Sequence, residues 1–141
     1  MNSDSDIASI DIAAPADRAF AYVSDPNNLD RWSFGTWRTT IAEDGLVEGQ
    51  SIFDGSSIWL RIDADRERLL ADYHLGASPD DLTPRICARV VPGERLGGSS
   101  DTCVLSLIAW RGEAMDDARW RRLKASHAFE LELLKSLIEQ E

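Results

Sequence analysis

Apolar residues recur every three or four positions over the last quarter of the chain, from about residue 113 to residue 140, and a single histidine interrupts them. Side chains at this spacing share one face of a helix. The pattern therefore predicts a long C-terminal helix with one buried face, and it places the histidine on that face. The buried stripe consists of Trp120, Leu123, His127, Leu131, Leu134 and Ile138.

The beginning of the chain predicts a strand and then two short helices. Residues 7–12 form a short apolar run, and Pro15 suits the first position of a helix because its missing N–H would be unpaired there. This helix continues to about Ser24. Pro26 then ends it and opens a second short helical stretch as far as Trp32.

Between residues 38 and 110 the pattern changes to short apolar runs separated by turn residues. Runs of this kind predict an antiparallel meander of six strands. The turn segments are Asp44-Gly45, Asp54-Gly55, and residues 63–68, 76–84 and 92–100.

The alternation within these runs predicts which side chains face the core. A turn at residues 63–68 would pair Ile58 with Tyr73, Leu60 with Ala71, and Ile62 with Leu69. Continuing the alternation adds seven residues to the inner face: Ile86, Ala88, Val90, Cys103, Leu105, Leu107 and Ala109. The outer face then holds Arg61, Asp72, His74, Arg85 and Arg89.

These elements predict one α+β domain over residues 1–141, in which a curved sheet wraps around the terminal helix. The net charge is -10, from 15 Lys and Arg against 25 Asp and Glu, and it argues against a nucleic acid or anionic membrane partner. The sequence shows neither a leader segment nor a membrane-spanning run, so we expect a cytoplasmic protein.

Few motifs of known chemistry occur in the sequence. Cys87 and Cys103 lie in apolar runs without metal-ligand spacing, so we expect buried free thiols, no metal and no disulfide. Glycine-rich phosphate loops, serine-hydrolase elbows and zinc-protease motifs are missing, and we expect no cofactor.

Two segments resemble a known superfamily. IDIAAPADRAFAYVSDPNNLDRW, residues 10–32, resembles the opening of START/Bet v 1-like proteins, which include polyketide cyclases and dehydratases. The long C-terminal helix with Leu-Leu-Lys at residues 133–135 is similar to their ending. The resemblance implies a helix-grip fold with a hydrophobic cavity between sheet and helix. It also implies an aromatic, steroid-like, polyketide or lipid ligand, while members of one fold serve many functions.

His127 and Tyr73 are the candidate catalytic residues. His127 is either a core histidine bonded to a backbone carbonyl or an acid/base group in the cavity, where burial would keep its imidazole neutral. Tyr73 either fills the core or contacts the ligand. Together they could protonate a carbonyl oxygen and remove a neighbouring proton, as cyclases, dehydratases and lyases do. His74 and Arg61 are reserve candidates, because a one-residue change of register would turn them inward.

Aromatic residues cluster where the second short helix meets the sheet. Trp32, Phe34 and Trp37 surround Gly35, and they either cap the core or form the lid of a cavity. The predicted ligand-binding residues are these three with Leu60, Trp120 and Leu123.

Three functions fit the sequence. The first is binding of a hydrophobic small molecule with cofactor-independent acid/base chemistry, and the second is binding or carriage without turnover. The third is a protein-interaction module. Phe129 lies opposite the His127 stripe and widens the apolar arc, which predicts contact with the short N-terminal helices or across a homodimer interface.

Overall fold

A seven-stranded antiparallel sheet curves around a long C-terminal helix. The computed structural model describes residues 4–140. The strands are in the order β1-β7-β6-β5-β4-β3-β2, so the first and last strands of the chain are neighbours. The strands are β1 (Ser5–Ile12), β2 (Trp37–Ile41), β3 (Val47–Gln50), β4 (Ser57–Asp65), β5 (Leu70–Gly76), β6 (Thr83–Pro92) and β7 (Cys103–Trp110).

The helices confirm the order expected from the sequence. Helix α1 covers Ala16–Ser24, a 3-10 turn covers Pro26–Asn28, α2 covers Leu29–Trp32, and α3 covers Asp117–Glu139. Pro15 is the N-cap of α1 rather than its first residue, so the helix begins one residue later than predicted. At the start of α3, the Asp116 carboxylate accepts a 2.8 Å hydrogen bond from the Arg119 N–H, which satisfies one of the free amides of the first turn.

The main hydrophobic core lies between the sheet and the helices. The helix α1 contributes Phe20 and Val23, and α3 contributes Leu131, Leu134 and Ile138, all buried. Burying a side chain of this size contributes about 1.5–3 kcal/mol. The predicted stripe on α3 is therefore the face that packs on the sheet.

The register of β4 and β5 differs from the prediction by four residues. Leu60 lies opposite Leu75, and Ile62 lies opposite Tyr73. The turn occupies residues 66–69, with Leu69 in a left-handed conformation at φ 53°. An alternating pattern fits every even shift equally well, because only an odd shift exchanges the two faces. The predicted pairs were wrong, but Leu60 and Tyr73 still face inward.

A bulge in β6 changes the direction of one side chain. Tyr73 pairs with Ile86, but the next residue, His74, pairs with Pro84, which leaves Arg85 as an extra residue. An extra residue of this kind bends the strand and re-aims its side chain. The prediction that Arg85 lies on the outer face was wrong, because Arg85 forms part of the wall of an internal cavity.

Both cysteines are buried free thiols, as expected, and burial raises the pKa of each, to about 11 for Cys103. In residues 4–140 we find no group of three or more His, Cys, Asp or Glu that could hold a metal ion. Within the same range, no helix has the length and apolar character required to cross a membrane.

Candidate functional site

A cavity of about 150 Å³ lies between the inner face of the sheet and α3. Cavities of about this volume hold a single benzene ring. The sheet side of the wall is mostly apolar and includes Leu60, Tyr73, Leu75, Ile86 and Leu107. The helix side adds Leu123, His127 and Glu130.

The cavity meets solvent where its wall residues are exposed. Besides Gly35, these are Phe53, Asp54 and Ser56 from the loop between β3 and β4, and Arg119 and Arg122 from the first turns of α3. The guanidinium of Arg122 lies 5.3 Å from the centre of the Phe53 ring, a cation–π distance that joins loop and helix. We refer to these five residues as the mouth.

His127 lies in the cavity wall as a neutral imidazole. Burial lowers its pKa from 6.5 to about 4, and the negative charge of Asp6 opposes this shift. Its Nδ1 is fully buried and has no hydrogen-bond partner among the described residues. Nε2 is therefore the ring nitrogen that a ligand could reach.

Glu130 is a polar residue of the site that the sequence pattern did not indicate. It lies one helical turn after His127 and is only 3% exposed. Burial raises its pKa from 4.5 to about 8, although a hydrogen bond from the Phe34 amide opposes the shift. Glu130 is therefore protonated at neutral pH.

Oε2 of Glu130 accepts a 2.9 Å hydrogen bond from the Phe34 N–H, so we assign the proton to Oε1. Oε1 lies 3.9 Å from Nε2 of His127, which is longer than a hydrogen bond. A neutral acid and a neutral base thus lie side by side in the cavity wall.

Tyr73 also lies in the wall, but its hydroxyl is already engaged. It donates a 2.6 Å hydrogen bond to the carbonyl oxygen of Val23 on α1. Burial raises the pKa of Tyr73 well above its ordinary value of 10, and the nearby Glu130 adds to the shift. The ring of Trp32 contacts the Tyr73 ring edge-on, with 6.2 Å between the ring centres. Tyr73 therefore ties the sheet to α1.

The predicted ligand-binding residues divide into two groups. Trp32, Leu60 and Leu123 lie in the cavity wall. Phe34, Trp37 and Trp120 are not part of this wall, and their role in ligand binding remains a prediction. Sequence spacing places a residue on a loop or helix face, but it does not give the direction of an aromatic ring.

Each of these three aromatic residues packs elsewhere. Trp120 is buried against Met115 and Ala109 at one end of the core. Trp37 is 37% exposed, with the Arg38 guanidinium 4.3 Å from its ring centre. Phe34 stacks on Phe129, with ring centres 5.9 Å apart.

The wide apolar arc on α3 is explained in part by this stacking. Phe129 contacts Phe34 in the loop that follows α2. This contact is close to the short N-terminal helices that the sequence predicts as one possible partner, and Phe129 remains 56% exposed. Phe34 also meets Phe53 of the mouth edge-on at 6.5 Å. Ring contacts therefore run from Phe53 of the mouth through Phe34 to Phe129. The homodimer remains a prediction.

The reserve candidates His74 and Arg61 lie outside the cavity. They are direct partners across β4 and β5 on the outer face. Arg61 donates a 2.7 Å hydrogen bond to the Asp44 carbonyl and forms an ion pair with the Asp44 carboxylate. This pairing gives Arg61 a structural role in the turn between β2 and β3.

Comparison with known proteins confirms the resemblance found in the sequence. The fold is the helix-grip fold of the START/Bet v 1-like superfamily. Residues 8–69 match the family described as "Polyketide cyclase / dehydrase and lipid transport". A search of the curated proteins finds no match to the chain.

Several solved structures share the fold at low sequence identity. The Zhui aromatase/cyclase from Streptomyces sp. R1128 is 16% identical, with a TM-score of 0.72 over 99% of this chain and 95% of that one. A START superfamily protein from Mycobacterium smegmatis is 17% identical, with a TM-score of 0.65 over 96% and 97%. The Aha1 dimer from Colwellia psychrerythraea is 11% identical, with a TM-score of 0.67 over 96% of each chain.

Proposed function

We propose that this protein binds a hydrophobic, aromatic or polyketide-like carbonyl compound in the cavity and catalyses cofactor-independent acid/base chemistry of the cyclase, dehydratase or lyase type. The observation that carries the proposal is the His127–Glu130 pair. Nε2 of His127 and Oε1 of Glu130 lie 3.9 Å apart, and burial keeps both groups neutral. The match to the polyketide cyclase and dehydrase family and the fold of an aromatase/cyclase support the same class of ligand.

The chemistry common to these reactions is enolisation. Nε2 of His127 removes a proton from the carbon next to a carbonyl, while the Oε1–H of Glu130 gives its proton to the carbonyl oxygen. The C–H bond electrons form the new carbon–carbon double bond of the enol. A general acid with a pKa of about 8 suits this role, because it holds its proton at neutral pH yet can release it.

In this proposal Glu130 is the acid, and Tyr73 positions α1 against the sheet. The proton of Tyr73 is bound to the Val23 carbonyl, so giving it to a ligand would leave that buried oxygen unpaired. Tyr73 can still accept a hydrogen bond from a ligand through its phenolic oxygen.

The test uses acetophenone, a single-ring aromatic ketone, in deuterated water. The protein should accelerate exchange of the methyl protons, followed by NMR, and His127→Gln should lower this acceleration by about 100-fold or more. The matched control is His74→Gln, which removes the other histidine of the sequence from the outer face and should exchange at the wild-type rate.

The second candidate is a binding or carrier protein without turnover. The family description includes lipid transport, and it is this wording that favours the alternative. A carrier would bind acetophenone without accelerating exchange, and His127→Gln would then change affinity alone. That result would reject the catalytic half of the proposal and keep the binding half.

A further inference from the structure

The charges around the cavity are opposite in sign to those of the whole protein. Three arginines lie in its wall, Arg85, Arg119 and Arg122, whereas Asp54 is the ionised acid of the same wall. Glu130 is protonated at neutral pH because burial raises its pKa to about 8. The chain as a whole has a net charge of -10. A positively charged cavity in an acidic protein favours an anionic ligand.

Arg85 is held beside the cavity by the fold. The bulge in β6 turns the Arg85 side chain inward, and this side chain packs against the backbone of Gly112. A Cβ atom added at Gly112 would lie 3.3 Å from Cδ and 3.6 Å from Nη1 of Arg85. Gly112 therefore packs directly against the Arg85 side chain, with its closest approach at Cδ rather than at the guanidinium.

Within residues 4–140, Arg85 has no ionic partner. Its Nη1 is buried and makes no hydrogen bond to a described residue. Burial lowers the pKa of Arg85, and the neighbouring Arg119 lowers it further. Arg85 is partly buried and lies next to a second cation, which is unfavourable, and an anion bound between the two guanidinium groups would offset both charges.

Arg119 has the position needed to share such an anion with Arg85. It lies in the first turn of α3, is exposed at the mouth and forms no ion pair with a described residue. Two guanidinium groups that reach one cavity from a strand and a helix are suited to a carboxylate, which accepts paired N–H donors.

We propose that this carbonyl compound also carries a carboxylate, which is bound by Arg85 and Arg119 while its single aromatic ring fills the apolar part of the cavity. This inference rests on the proposed function, because it assumes that the cavity is the ligand site. The cavity volume of about 150 Å³ limits the buried part of the ligand to about one ring.

The experiment compares benzoate with benzamide, which has the same ring and shape without the charge. Binding is measured at pH 6.5 by chemical-shift titration, with benzyl alcohol as a neutral reference for the cavity. We expect benzoate to bind at least about tenfold more tightly than benzamide, since a hydrogen bond to a charged group contributes that much.

Two variants test the arginines. Arg119→Gln should reduce benzoate affinity about tenfold and leave benzyl alcohol affinity unchanged. Arg85→Gln should have the same selective effect, because it removes the guanidinium that the bulge in β6 places in the cavity wall. The matched control is Arg121→Gln, which removes the same charge from an exposed position of α3 that is not in the cavity wall.

The outcomes separate this inference from the proposed function. If benzyl alcohol binds in the cavity but benzoate has no advantage over benzamide, the carboxylate site is rejected and the proposed function stands. An equal loss of benzoate affinity in Arg119→Gln and Arg121→Gln also rejects it, since it shows a general effect of charge. If none of the three aromatic probes binds, both proposals are overturned.

Discussion

Oε1 of Glu130 lies 3.9 Å from Nε2 of His127, and both side chains are buried in the wall of one cavity. The two residues are three positions apart on α3, which brings them to the same side of the helix. Burial shifts their pKa values in opposite directions, and both shifts favour the neutral form. Proton transfer to and from a ligand is therefore possible without first creating a buried charge.

The stability of the protein should fall as the pH rises from 6.5 to 8. Glu130 keeps its proton up to about pH 8 when folded, but loses it near pH 4.5 when unfolded. The folded state binds more protons between these values, so the free energy of unfolding decreases with rising pH. His127 has the opposite effect between pH 4 and 6.5, where the two contributions oppose each other.

The variant that tests this is Glu130→Gln, with Glu132→Gln as the control at an exposed position on the same helix. Urea unfolding should show a clearly lower free energy of unfolding at pH 8 than at pH 6.5 for the wild type and for Glu132→Gln. For Glu130→Gln the free energy of unfolding should differ little between the two pH values. Equal pH dependence in all three proteins would mean that Glu130 is ionised in the folded state.

His127 should remain uncharged from pH 8 down to about pH 5. Its Cε1–H chemical shift, followed by NMR from pH 8 to pH 4, should stay constant to about pH 5 and move only near pH 4. The resonance can be assigned by its loss in His127→Gln. A midpoint between about pH 6 and 7, the ordinary range for histidine, would show that the ring is not desolvated.

Tyr73→Phe separates a structural role from a catalytic one. The variant loses the 2.6 Å hydrogen bond to the Val23 carbonyl and leaves that buried oxygen unpaired, so it should lose about 1–3 kcal/mol of stability. Exchange of the acetophenone methyl protons should stay within about threefold of the wild-type rate, since Tyr73 gives no proton in the proposal. A loss comparable to that of His127→Gln would return Tyr73 to the role of acid.

The architecture was predictable because its signals are local. A few neighbouring residues specify each element or turn. The signals are the apolar stripe for α3, Pro15 and Pro26 for the short helices, and Gly45 and Gly55 for two turns. The inner face of the sheet followed from alternation alone. The pairing of β4 with β5 did not, because the alternating pattern is unchanged by the four-residue shift between Ile62–Leu69 and the observed Ile62–Tyr73.

The site was predictable only in part, for a different physical reason. His127 was found because it interrupts an apolar stripe. Glu130 lies three residues later and next to Leu131, so its position already pointed inward, but a glutamate on a helix is normally solvated. Arg85 depends on a bulge, and a bulge depends on how two strands pair rather than on either strand alone.

The central claim is that the space between the sheet and α3 is a ligand site, and intermolecular NOEs test it most directly. With acetophenone bound, the ring protons should show NOEs to the methyl groups of Leu60, Leu107 and Leu123, which face the cavity from both sides. NOEs confined to exposed apolar residues such as Ile7 and Leu96, or no NOEs at saturating ligand, would contradict the claim.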